Sequence, residues 1–102
     1  MKVEIITRRD DLLIRRLILE PGEALGWHTD LCESFAVVVR GEQLTIEYGD
    51  GESMAVPVHA GMSGWGEPEP RPHRAVNSGA SAYEEVVTFY LRAPNMDPQP
   101  RA

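Results

Sequence analysis

Short apolar segments separated by turn residues run along most of the chain. Residues 44–48 alternate cleanly, with Leu44, Ile46 and Tyr48 on one face and Thr45 and Glu47 on the other. This period-two pattern predicts a half-buried strand. No segment keeps the 3.6-residue apolar period that would indicate a helix of a dozen residues. Six further segments have a similar strand character: residues 3–7, 12–19, 34–39, 53–58, 73–76 and 83–91.

The spacing of these segments predicts the fold class. Short strands about 8–12 residues apart, with Gly-, Pro- and Asn-containing turns between them, are typical of a small antiparallel β-sandwich or barrel. A chain of 102 residues is expected to form one domain. We therefore predict one all-β domain over residues 1–93. Residues 58–72, rich in Gly and Pro, are interpreted as an inserted loop, and residues 94–102 as a Pro-rich C-terminal tail.

Composition and charge narrow the function classes. Ten Lys and Arg against sixteen Asp and Glu give a net charge of −6, which argues against a nucleic-acid-binding surface. No apolar run approaches the ~20 residues of a membrane helix, and the N-terminus lacks the apolar stretch of a signal peptide. One cysteine, Cys32, excludes an internal disulfide, so we expect a cytoplasmic protein.

A metal site is the chemistry that the sequence indicates most clearly. In an extended segment His28 and Asp30 point to the same side, where an imidazole and a carboxylate can bind one divalent cation. Glu33 can join them only if the chain turns after Asp30, and it then shares the apolar face of the next strand with Phe35, Val37 and Val39. His73 would come from a distant strand. Two His and one carboxylate leave coordination positions open for oxygen or substrate.

These residues resemble the two motifs of the cupin family. Gly22-x5-His28-x-Asp30-x2-Glu33-x7-Gly41 is similar to the first motif, and Gly51-x5-Pro57 followed by His73-x3-Asn77 is similar to the second. The resemblance implies a small antiparallel β-barrel of the double-stranded β-helix (jelly-roll) type, a homodimer and a metal near the barrel axis. It places the family's ligands on His28, Glu33 and His73.

The sequence departs from the cupin pattern at two points. Asp30 stands where the family normally has a second His, which makes the predicted ligand set His28, Asp30, Glu33 and His73. Fifteen residues separate Pro57 from His73, where cupins usually have a tight turn. Mixed His and carboxylate ligation is compatible with iron, manganese, nickel or zinc.

Several residues keep two interpretations at this level. Asp30 either binds the metal or orients His28, and a carboxylate of Asp30 or Glu33 that is not a ligand is the candidate catalytic base. Trp27, Trp65 and Arg74 either line a substrate pocket or pack without function. Of two adjacent acids, Glu84 and Glu85, one is expected to be exposed and the other to point partly inward.

We therefore expect a metal-dependent enzyme acting on a small organic molecule, of oxygenase, isomerase or lyase type. The alternatives are a non-catalytic cupin module that binds a small molecule or metal, and a metal-free barrel. The spacing of His28, Asp30 and His73 is also similar to that of the 2-oxoglutarate oxygenases, which are usually much longer. A homodimer is expected because exposed strand edges need covering, and residues 1–7 could cross to a partner.

Overall fold

The computed structural model describes residues 1–91, which form nine strands and no helix. The predicted tail, 94–102, lies outside the described residues. All pairings between the strands are antiparallel. The strands are β1 (Lys2–Arg9), β2 (Leu12–Leu19), β3 (His28–Asp30), β4 (Glu33–Arg40), β5 (Gln43–Tyr48), β6 (Ser53–Pro57), β7 (Ser63–Gly66), β8 (Glu69–Asn77) and β9 (Tyr83–Tyr90).

The strands form two sheets whose inner faces share one interior. One sheet has the order β1-β2-β9-β4-β7, and the other has the order β3-β8-β5-β6. Buried side chains from both sheets pack in one cluster, for example Leu17 of β2, Val38 of β4 and Leu44 of β5. The all-β prediction is confirmed. The described part of the chain contains no helix long and apolar enough to span a membrane.

A charged layer lies between two apolar clusters in this interior. On β2 the inward residues are Leu13, Arg15, Leu17 and Leu19, all buried. Leu13 belongs to one cluster and Leu17 to the other, so Arg15 lies between them. On β9 the same order occurs in reverse, because Glu85 separates Tyr83 of one cluster from Val87 of the other. The fold therefore places two charged side chains at the centre of the apolar interior.

The predicted inserted loop, 58–72, differs from the structure, since it contains β7 and the beginning of β8. Its Gly and Pro content favoured an irregular segment. However, β7 is an edge strand that pairs with β4 on one side, so it forms a single ladder of backbone hydrogen bonds and tolerates glycine. The prolines of β8, Pro70 and Pro72, precede the ladder with β5, which begins at His73. Glycine and proline are thus confined to positions that the ladders tolerate.

The Asn77 side chain connects the end of β8 to neighbouring segments by hydrogen bonds. Its side chain is 1% exposed, and both the amide nitrogen and the amide oxygen form hydrogen bonds. The Nδ2 group donates to the carbonyl oxygens of Leu19 and Ser81, each at 2.9 Å, and Oδ1 accepts from the backbone N–H of Gly79 at 3.0 Å. The second cupin-like motif therefore ends on a structural residue.

Candidate metal centre

Two histidines from different strands face each other at one end of the interior. His28 of β3 pairs directly with His73 of β8, so both side chains project on the same side of the sheet. Their ring centroids are 4.6 Å apart. The strand register thus brings together residues that are 45 positions apart in the sequence.

The main chain fixes which ring nitrogen of each histidine carries hydrogen. His28 Nδ1 lies 2.9 Å from the carbonyl oxygen of Gly26, and His73 Nδ1 lies 2.8 Å from that of Arg71. A carbonyl oxygen only accepts hydrogen bonds, so both Nδ1 atoms donate. In the neutral rings both Nε2 atoms then have a lone pair available. Such orienting bonds are usual for histidines that bind metals.

Asp30 completes a group of three ligand atoms. Its Oδ1 is 3.4 Å from His28 Nε2, and its Oδ2 is 3.0 Å from His73 Nε2. The three residues offer ligand atoms that all lie within 4.8 Å of one another. Ligands about 2.0–2.2 Å from one ion are about 3.0–3.5 Å from their neighbours. The two contacts of Asp30 have this spacing, the widest separation would have to shorten around an ion, and imidazole nitrogens with a carboxylate oxygen are donors that suit a divalent first-row transition metal.

Protonation couples the carboxylate to the imidazoles. The hydrogen bond to Asp30 raises the pKa of His28, although burial of the ring opposes this. Desolvation raises the pKa of Asp30, but the hydrogen bond from His28 and the charges of both histidines outweigh it and lower that pKa overall. Without a metal, the carboxylate of Asp30 thus favours a proton on His28.

The three residues line a cavity of about 170 Å³ together with Arg15 and Glu85. Arg15 is 4% exposed, and its nearest carboxylate contact is 3.8 Å, from Nη2 to Glu85 Oε2. The Nε of Arg15 is buried and makes no hydrogen bond within residues 1–91. Burial lowers the pKa of Arg15, and the carboxylate of Glu85 offsets part of that decrease.

Glu85 is the carboxylate that the structure brings to the site from β9. The hydroxyl of Tyr83 donates to Glu85 Oε1 at 2.8 Å. Desolvation raises the pKa of Glu85, and Arg15 and the Tyr83 bond offset only part of the increase. Glu84 points to the outer face and accepts from Arg40 Nε at 2.9 Å. Its side chain is only 12% exposed, so the expectation that one of the two acids is exposed is wrong.

A second, more apolar cavity of about 370 Å³ adjoins the first. The two cavities share Ser34, Ala36 and Ile46 as lining residues. Gly64 lies opposite Ala36 on β7, and a Cβ atom placed there would meet nothing within 4 Å. The lack of side chains on the inner face of β7 leaves this space open.

Glu33 lies outside the ligand group, and here the structure differs from the sequence expectation. The inward residues of β4 are Ser34, Ala36 and Val38, of which Val38 is 6% exposed. Val37 and Val39 are 40% and 44% exposed on the outer face, which Glu33 shares. The expected face was chosen for its apolar content, but its valines cover the outside of the sheet.

The three predicted pocket residues also lie apart from the metal group. Trp27 and Arg74 line a different cavity, where Arg74 donates to Glu47 at 2.7 Å and lies over the Trp27 ring. Trp27 precedes His28 and Arg74 follows His73, so the alternation of side chains along a strand turns both to the face opposite the histidines. Trp65 borders the apolar cavity, but its ring packs against Phe35 at 4.9 Å.

Comparison with solved structures identifies the fold. The chain is similar to a cupin domain from Bordetella pertussis Tohama I, with a TM-score of 0.77 and 19% identity over 87% of this chain and 91% of that one. It is also similar to an RmlC-like cupin with a double-stranded β-helix fold from Methanocaldococcus jannaschii (TM-score 0.72, 17% identity, 91% and 81% covered). A double-stranded β-helix protein from Klebsiella pneumoniae gives 0.69 at 19% identity, with 91% and 76% covered. No protein-family model and no curated protein matches the sequence.

The chain therefore has the fold of a small cupin domain, a double-stranded β-helix. The resemblance drawn from the two sequence motifs is confirmed at the level of the fold. Within that fold, His28, Asp30 and His73 form a possible His/Asp metal-binding group.

Proposed function

We propose that this protein is a metal-dependent enzyme that acts on a small organic molecule at a mononuclear site held by His28, Asp30 and His73. The observation that carries the proposal is the convergence of three ligand atoms within 4.8 Å, with both Nδ1 atoms already committed to the main chain. Three protein ligands leave positions open for a substrate, which is the arrangement of a catalytic rather than a structural site.

The protein's own residues supply the rest of the chemistry. The bound ion would act as a Lewis acid on a substrate oxygen. We assign proton transfer to Glu85, because it lines the same cavity and burial raises its pKa, which favours a carboxyl group that can hold a proton. The Tyr83 hydroxyl holds the Glu85 carboxyl in one orientation. Such a site suits isomerase or lyase chemistry, in which a proton is removed beside a polarised oxygen.

Metal titration of matched variants tests the ligand assignment. Protein made without a chelating tag and stripped with chelator is titrated with Mn²⁺, Fe²⁺, Ni²⁺ and Zn²⁺. We expect one ion per chain, and loss of that ion in His28→Ala, His73→Ala and Asp30→Asn. His59→Ala and Glu33→Gln serve as controls, because His59 is exposed in a turn and Glu33 lies outside the group. An unaltered affinity in the three site variants would refute the assignment.

The pH dependence of metal binding and the turnover of a substrate test the proposal in two further ways. Because the hydrogen bond to Asp30 raises the pKa of His28, a metal must displace a proton there, and affinity should rise between about pH 6 and pH 8. Glu85→Gln should retain the ion and lose turnover of a substrate found by screening, whereas Glu84→Gln should keep both. A metal-loaded protein that turns over nothing would favour a binding module instead.

We further propose a homodimer in the cytoplasm. Strand β1 is an edge of the five-stranded sheet and exposes Val3, Ile5 and Ile6, each 42–45% accessible. A long apolar edge strand is unfavourable in water unless another chain covers it. The location rests on the single cysteine, Cys32, which is buried in the core.

A further inference from the structure

We infer that the substrate is an organic monoanion, a carboxylate carrying an apolar group, whose carboxylate is bound by Arg15 and whose apolar group fills the cavity beside Gly64. This inference deepens the proposed function and rests on the same site. Its observations, however, are the buried guanidinium and the second cavity, neither of which takes part in holding the metal.

The state of Arg15 is the first observation. A guanidinium has five N–H donors, and burying it without hydrogen bonds is unfavourable. Arg15 is 4% exposed, yet its Nε has no hydrogen-bond partner within the described residues, and its contact with Glu85 is 3.8 Å, longer than a hydrogen bond. The other oxygen of that carboxylate, Oε1, accepts from the Tyr83 hydroxyl and so holds the carboxyl group in place. An anion in the cavity would supply the acceptors that Arg15 lacks.

The charges around Arg15 select a single negative charge. The carboxylate of Asp30 already faces the two histidines, so Arg15 is the cation of the cavity lining that is left for a ligand, and the second negative charge of a dianion such as a phosphate ester would find no partner. A carboxylate carries one charge and matches the planar guanidinium in a two-point contact. The arrangement therefore favours a carboxylate over a phosphate.

The adjoining cavity determines which apolar group the substrate carboxylate carries. It is about 370 Å³ in volume, shares three lining residues with the charged cavity, and is bordered by apolar side chains such as Val56, Val58 and Met62. Because the two cavities lie side by side along these shared residues, we place an aryl or branched alkyl group of the substrate in this second space. Burial of that group would add affinity in proportion to its area.

Binding of benzoate by zinc-loaded and by metal-free protein, measured by calorimetry, tests the inference. We expect benzoate to bind at least about tenfold more tightly than acetate, benzyl alcohol or phenyl phosphate. Arg15→Met should weaken benzoate binding about 10- to 100-fold, because a charge-assisted hydrogen bond is lost. Arg15→Lys should recover part of the loss. Arg16→Met is the matched control, since Arg16 is the next residue on β2 and faces outward.

Gly64→Leu tests the apolar part separately. A Cβ at Gly64 meets nothing within 4 Å and its φ is not in the left-handed region, so the variant should fold and fill the cavity. It should weaken benzoate binding and leave acetate binding unchanged. Equal binding of benzoate by wild type and Arg15→Met, or tighter binding of phenyl phosphate, would overturn the inference.

The metal content of each variant separates the two proposals. If the wild-type protein takes up no ion, the proposed metal site is refuted. The dependence of benzoate binding on Arg15 can still be measured in that metal-free protein, so the inference about the substrate is tested independently. Conversely, Arg15→Met and Gly64→Leu should retain one ion per chain, so a loss of benzoate binding in them reports on the substrate pocket.

Discussion

Removing the buried charged pair from the interior should make the protein more stable. The perturbation is the double variant Arg15→Met/Glu85→Gln. Methionine keeps the unbranched stem that packs between Leu13 and Leu17, and glutamine keeps an oxygen to accept the Tyr83 hydroxyl. If Arg15 and Glu85 serve the site rather than the fold, their removal should relieve an energetic penalty.

The structure sets the size of the effect. The Arg15–Glu85 contact at 3.8 Å is too long for a hydrogen bond, so the attraction of the pair is Coulombic alone and is opposed by the desolvation of both groups. The unpaired buried Nε of Arg15 carries a penalty of about 1–3 kcal/mol, which the variant removes. Replacing buried ion pairs by apolar groups is often neutral or stabilising by about 1–4 kcal/mol. We therefore expect an increase of about 1–3 kcal/mol in the free energy of unfolding.

Denaturant unfolding of metal-free protein measures this change without interference from metal binding. Each kcal/mol should also raise the Tm by about 4–8 °C. The matched control is Arg16→Met/Glu84→Gln, which changes neighbouring residues on the same two strands but on the outer face. The Nε of Arg16 is likewise buried without a hydrogen bond among the described residues, but the Arg16 side chain is 40% exposed and its Nη1 lies 3.5 Å from Glu84 Oε2, so the control should change stability by no more than about 1 kcal/mol. Destabilisation of the inner variant by more than the control would refute the reasoning.

Two further predictions concern the framework. Asn77→Ala removes one buried hydrogen bond, to Leu19, and two partly buried ones, to Ser81 and Gly79, and should destabilise the protein by about 2–4 kcal/mol in thermal or denaturant unfolding. Ser78→Ala, at the exposed neighbouring residue, should change stability far less, and a similar loss in both would contradict the role of Asn77. In analytical ultracentrifugation the protein should sediment as twice 11.4 kDa, and Ile5→Lys on β1 should favour the monomer; a monomeric wild type at micromolar concentration would disprove the dimer.

The strands and two of the three residues of the metal group could be predicted from local sequence signals. The clean alternation of residues 44–48 and the turns around them are local signals, and they match β5 within one residue. His28 and Asp30 are two positions apart, so one extended segment suffices to bring them together. His73 required the cupin resemblance, because only the β3–β8 register sets it opposite His28.

The sequence pattern could not predict whether Arg15 and Glu33 point inward or outward. Both faces of β2 contain one arginine among apolar residues, so nothing local indicates that Arg15 and not Arg16 points inward. Glu33 belongs to a strand whose outer face also has valines, and apolar content therefore chose the wrong side. In both strands the deciding factor is which face meets the second sheet. That information lies in the tertiary pairing of distant segments.

X-ray absorption spectroscopy at the metal edge of zinc-loaded protein tests whether His28, Asp30 and His73 bind one ion. We predict one zinc per chain, bound by two imidazole nitrogens and one carboxylate oxygen at about 2.0–2.2 Å, with one imidazole contribution missing in His73→Ala. A spectrum unchanged in His73→Ala, or one without imidazole scattering in the wild type, would contradict it.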